Sequence, residues 1–172
     1  FERSDWLSSV AFWYQFPVAG FREPIDRLET RVPPYRIVRP AEMQAAGTPD
    51  SALTATPGSI AFLPGPDPAT LEVTFNVPQP GKYQVNALLT RSFLGGRYRI
   101  SLNGRQVGPV HDFQFNGQEV YWHKLDLHDL GAGGHVLRFE SLGPSPHART
   151  LTPAVSGMAL EGLVLLRLED LD

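Results

Sequence analysis

The sequence predicts an all-β protein, an antiparallel β-sandwich that runs from about residue 35 to residue 172. Three observations predict it. Sixteen Gly and sixteen Pro are spread over 172 residues without a period, so turns are frequent and the segments between them short. Those segments alternate apolar and polar side chains, which puts one face of each on a core. Helical periodicity never extends beyond a turn or two, so strands are not separated by crossover helices and an α/β architecture is excluded.

The elements follow in order. Residues 6–16 are a β-branched and aromatic run in which Val10, Phe12 and Tyr14 share one face and Ala11, Trp13 and Gln15 the other. Both faces are largely apolar, the pattern of a strand covered on both sides; left bare it would template aggregation. Residues 17–34 mix proline with charge and read as a linker, so residues 1–34 are expected to close an upstream domain and 35–172 to form the sandwich. Tyr35–Val38 is a short strand, and Ala41–Ala46 is the one place for a turn or two of helix. Ser59–Leu63 follows a Thr-Pro-Gly turn. Leu71–Val77 points Leu71, Val73, Phe75 and Val77 inward, and after Pro78-Gln79-Pro80-Gly81 the segment Lys82–Thr90 does the same with Tyr83, Val85, Ala87 and Leu89. The two are expected to pair as a hairpin. Arg97–Leu102 buries Tyr98, Ile100 and Leu102, and Asn103-Gly104 is a type I′ turn signal that returns the chain along Gln106–Val110. Glu119–Leu127, His135–Ser141 and Leu160–Leu168 complete the strands.

Composition excludes several classes of function. The net charge is −3, and Lys82 and Lys124 are the only lysines, so no basic surface exists to track phosphates and nucleic acid is not an expected partner. No run of 18 apolar residues is present, so no membrane-spanning helix is expected. Cysteine is absent, which removes disulfides, thiol catalysis and cysteine–metal sites. Gly131-Ala132-Gly133-Gly134 lacks the strand, helix and Lys-Ser/Thr of a phosphate loop and reads as a turn. The start at Phe1 without Met or leader is expected of an excised fragment.

Two segments carry a resemblance. Ser8-Ser9-Val10-Ala11-Phe12-Trp13-Tyr14-Gln15 resembles a strand near the end of the catalytic domain in a bacterial glycoside-hydrolase family. That family includes difructose-anhydride-forming enzymes and α-D-arabinofuranosidases, has a capsid-like jelly-roll fold and tends to form trimers. Val77-Pro78 through Gly81-Lys82-Tyr83, then Gly96–Gly104, Asp112-Phe113, Gly134–Leu142 and Ala159–Leu168 resemble the galactose-binding-like jelly roll often appended to such enzymes. Leu94-Gly95 and Glu161-Gly162 depart from that module, which has Asp-Tyr at both places. The resemblance implies a secreted or periplasmic setting. It implies no catalytic residue here, because the enzymes' paired carboxylates lie upstream of the Ser-Val-Ala strand.

Sugar binding stacks aromatic faces on apolar sugar faces while planar polar groups take the hydroxyls. The candidates are loop aromatics beside such groups: Phe93 with Arg91 and Arg97; Phe113 and Phe115 with Asp112 and Asn116; Trp122 with His123; and His147 with Arg149. The competing reading for each aromatic is core or rim packing. Acidic residues such as Glu72, Asp126 and Asp129 are scattered and read as solvated surface. The five histidines, at 111, 123, 128, 135 and 147, match no ligand spacing. Glu42 is the candidate ligand for a structural calcium ion, as related modules imply, against a helix-capping role. Three readings stay open: a carbohydrate-binding accessory module with glycan as its partner, an assembly module joining a homo-oligomer or its own upstream domain, and a portion of a glycoside hydrolase whose catalytic residues lie elsewhere.

Overall fold

Alternating side chains decide which residues reach the core. In a computed structural model that describes residues 34–65, 69–148 and 155–171, Leu71, Val73, Phe75 and Val77 are all buried, as are Tyr83, Val85, Ala87 and Leu89. Tyr98, Ile100, Leu102, Leu137, Phe139, Leu160 and Leu165 join them in one apolar cluster. Each buried Val, Leu, Ile or Phe side chain contributes about 1.5–3 kcal/mol on leaving water. The expected strand at residues 6–16 lies outside the described residues, with nearly all of the linker.

The strands are β1 (Tyr35–Val38), β2 (Gln44–Gly47), β3 (Ala52–Ala55), β4 (Ile60–Leu63), β5 (Thr70–Val77), β6 (Gly81–Ser92), β7 (Gly96–Leu102), β8 (Arg105–Gln106), β9 (His111–Asp112), β10 (Gln118–Leu130), β11 (Gly133–Pro144) and β12 (Met158–Arg167). They form two sheets around the cluster. One has the order β10-β6-β12-β4-β3, with β1 also on β12; the other has the order β2-β5-β11-β7-β8, with β9 also on β7. All pairings between named strands are antiparallel. The fold is a jelly-roll-type β-sandwich, as the sequence predicts.

Three expectations need correction. The segments Leu71–Val77 and Lys82–Thr90 do not form a hairpin: β5 lies in the second sheet and β6 in the first. Pro78 and Pro80 have no N–H to give a tight turn, and the connection arches across the core, where the Tyr83 hydroxyl donates to the Gln79 carbonyl at 2.8 Å. The turns of helix expected at Ala41–Ala46 reduce to a single 3₁₀ turn, Pro40–Glu42, before the chain enters edge strand β2. The return strand expected at Gln106–Val110 is only Arg105–Gln106, since Gly108 has φ +65° and Pro109 follows. Asn103 and Gly104 do adopt positive φ, 50° and 79°, as a type I′ turn requires.

Candidate functional site

The outer faces of the two sheets have opposite chemistry. Across β5, β11 and β7 the outward positions are Glu72, Arg138, Glu140 and Arg99, joined by ion pairs of 3.6 Å (Arg138–Glu72) and 2.9 Å (Arg99–Glu140). That is an ordinary solvated face. Directly opposed residues of an antiparallel pair share a face, so the registers assign Tyr35, Ile37, Leu63, Val120, Trp122 and Leu127 to the outside of the other sheet. All six are exposed, and Trp122 is the most exposed large apolar side chain among the described residues, at 59%. A soluble surface rarely collects apolar groups on one face without using them.

Beside Trp122 this face mixes apolar and hydroxyl-bearing side chains. Val120 pairs with Thr90, which pairs with Ala159, then Ala61 and Thr54, so one row crosses the sheet in register. A shallow groove of about 380 Å³ follows that row, lined by Leu63, Leu94 and Ala61 together with the hydroxyl residues Thr54, Thr90 and Ser92. Glu161, on the bulge of β12, accepts from Thr90 Oγ1 at 2.8 Å and Ser59 Oγ at 3.2 Å. Both bonds fall on Oε1, and among the described residues none falls on Oε2. The surface can stack an apolar ligand face and answer hydroxyls along its edge.

Of the candidates read from sequence, Trp122 lies on this face. Phe93 and Leu94 are exposed on the β6–β7 loop, and Leu94 reaches the groove. Arg97, Asp112 and His147 gather at the same end of the sandwich, where the β6–β7, β9–β10 and β11–β12 connections converge. Arg97 pairs with Asp112 in register and donates to the Leu142 carbonyl at 3.2 Å. Asp112 accepts from Ser145 Oγ at 2.6 Å and the Gln114 amide at 3.0 Å, so its carboxylate fastens the loop that carries His147. Gly95 lets this end close, since a Cβ there would collide with the Phe113 carbonyl.

Three candidates have other employment. Phe113 is 0% exposed and stacks on Tyr98 with ring centroids 5.5 Å apart, so it offers no face to a sugar; this corrects the sequence reading. Arg91 is ion-paired with Glu119 and lies over the Tyr121 and Phe115 rings at 4.3 and 5.2 Å, so its guanidinium is a rim clamp. Glu42 caps its own turn: Oε1 accepts from the Arg39 amide at 3.0 Å and Oε2 from Arg36 at 3.3 Å. That amide bond, with the arginines, keeps its carboxyl below the usual range. Arg149 lies outside the described residues.

Sequence reasoning missed Thr90, Glu161, Leu63, Leu94 and Val120. A signal existed. Val120-Tyr121-Trp122 and Leu163-Val164-Leu165-Leu166 are apolar at both parities, the pattern of strands whose outer face is also meant to be covered.

On the inner side of β10 lies a second cluster. Tyr121 and His123 share that row, and His123 meets His111 of β9 with Nε2 to Nε2 at 3.2 Å and ring centroids 4.0 Å apart. Burial, with help from His111 and Arg91, lowers the His123 pKa to about 4; burial also lowers that of His111, against the Val107 backbone and Asp126. Burial raises Tyr121 to about 12.

No family model and no curated protein matches the sequence. Solved structures do. The chain is similar to a xanthan lyase from Paenibacillus, with a TM-score of 0.53 and 16% identity over 80% of this chain and 12% of that one. The chain thus spans a small part of that protein's length, and at this identity the likeness is one of fold. It is also similar to a family 35 carbohydrate-binding module from Clostridium thermocellum, with a TM-score of 0.43 and 14% identity over 76% of this chain and 96% of that one. A third similar structure is the C-terminal CBM6 of a marine laminarinase from Zobellia galactanivorans, with a TM-score of 0.42 and 10% identity over 77% and 99%.

Proposed function

We propose that this chain is a carbohydrate-binding module that recognises glycan without turning it over, serving as accessory to a glycoside-hydrolase-type protein. The carrying observation is the face described above: Trp122, 59% exposed, beside a groove lined by aliphatic side chains together with Thr54, Thr90 and Ser92, with Glu161 bonded to Thr90. Sugars present the matching pattern, C–H faces bordered by hydroxyls. The names of the similar structures, a xanthan lyase and carbohydrate-binding modules, fit the same reading. The relation to enzymes acting on difructose anhydrides and arabinofuranosides is the finer part of the proposal, resting on the resembling motifs; so is a secreted or periplasmic setting. A structural calcium ion, if the module carries one, would need oxygens beyond Glu42.

The test is affinity electrophoresis in gels containing arabinan, fructan or galactan. Retardation by at least one polymer is expected, and Trp122→Ala is expected to abolish it while shifting stability by less than about 0.5 kcal/mol, as for an exposed site. Retardation unchanged by Trp122→Ala would refute this face as the site.

A second reading rests on the extent of the apolar face, which continues from Trp122 to Ile37 and Tyr35 beyond what the groove needs. Under it the face joins subunits. A stable dimer or trimer by light scattering, with no retardation in any gel, would favour assembly.

A further inference from the structure

The His111–His123 pair points to a site outside the proposed glycan face and independent of it. We propose that His111 and His123 chelate a divalent transition-metal ion through their two Nε2 atoms, at the rim where β9 of one sheet faces β10 of the other. Two zinc–imidazole bonds of about 2.0–2.1 Å, set about 100° apart, span about 3.2 Å. The Nε2 atoms already stand 3.2 Å apart.

The surroundings hold the rings as a metal site requires. His123 Nδ1 lies 3.3 Å from the Tyr121 hydroxyl, a partner that fixes the ring and takes the Nδ1 hydrogen once Nε2 is given to metal. His111 stacks against Phe113 with ring centroids 6.4 Å apart. Gly108 keeps the approach open: a Cβ there would come within 3.3 Å of His111 Nε2. The charges balance toward a cation. Asp126 acts on both imidazoles, and Arg91, the cation nearest His123 in effect, is neutralised by Glu119. Both rings are half-buried at the rim, with their Nε2 atoms turned toward each other.

Without metal, one Nε2 carries a hydrogen and donates to the other. Metal replaces that hydrogen, which moves to the other nitrogen of the same ring, so the exchange needs no net proton release. Among the described residues no third histidine or carboxylate completes a cluster, so water or a ligand's oxygens take the remaining positions. The ion therefore keeps open coordination positions. Sequence spacing concealed the pair, because twelve residues and a change of sheet separate its members.

Chelator-treated protein titrated with Zn²⁺ by calorimetry, with the imidazole ¹⁵N signals followed in parallel, tests the site. One equivalent is expected to bind while the Nε2 signals of His111 and His123 move together. His111→Gln and His123→Gln should each weaken binding at least about tenfold, Tyr121→Phe somewhat less, and the exposed His147→Gln not at all. Binding of equal strength in the two Gln variants, or ring signals in the wild type that stay fixed under saturating Zn²⁺, would overturn the proposal. The wild-type spectra decide even where a variant fails to fold.

Discussion

At the scale of single residues, the chain separates two aromatics that look alike in sequence. Phe113 and Trp122 each neighbour a polar side chain, Asp112 and His123, in an aromatic-rich stretch. Packing parts them. Phe113 fills the core under the loop end, whereas Trp122 sits on the outer parity of an edge strand. Parity along β10 was readable, but which parity faced the core was not, because Tyr121 and Trp122 are both aromatic and only the position of the second sheet breaks the tie. Phe113→Ala is expected to cost about 3–5 kcal/mol of stability in urea denaturation, the loss of a buried ring with its cavity. Any weakening of glycan binding in that variant should follow the unfolded fraction.

At the scale of elements, local signals succeeded where geometry is local. The Asn103-Gly104 turn carries its conformation in two residues, and the structure adopts it. Gly104 has φ +79° with open space around it, so Gly104→Ala tests backbone strain alone: a lowered urea midpoint corresponding to about 1–2 kcal/mol is expected, with the fold unchanged. Signals failed where partners are distant. The β5–β6 connection looked like a hairpin because two strands facing one core from opposite sheets bury side chains with the same alternation as two strands side by side. Only the missing N–H groups of Pro78 and Pro80 told them apart. Likewise Pro40–Glu42 has the capping glutamate that starts a helix, yet the following residues serve as the edge of a sheet, where pairing with β5 prevails over their weak propensity.

Across the whole molecule, the sandwich has one outer face laced by ion pairs and one that exposes apolar side chains, and the histidine pair at its rim joins the two sheets. Burial holds both imidazoles neutral in the folded chain, with folded pKa values below the ordinary 6.5 and that of His123 near 4. As pH falls below 6.5 the unfolded chain takes up protons that the folded chain refuses, so stability contributed by the neutral pair declines toward pH 4 and levels off below it. In metal-free protein the melting temperature is expected to fall across that window, and His123→Phe to flatten the fall. An equally steep decline in the variant would assign the effect to other groups. The outline of this architecture was legible from alternation and turns; the difference in chemistry between the faces was not, since it depends on which strands become neighbours.

The last strand of the sandwich is also its keystone. β12 lies between β6 and β4 and carries β1 as well, so the sheet stays divided until residues 158–167 arrive. A chain emerging from the ribosome at about 5–20 residues per second would expose its earlier strands for several seconds before that closure. Premature stop codons anywhere ahead of Met158 should thus yield material for proteases and chaperones rather than a smaller working module.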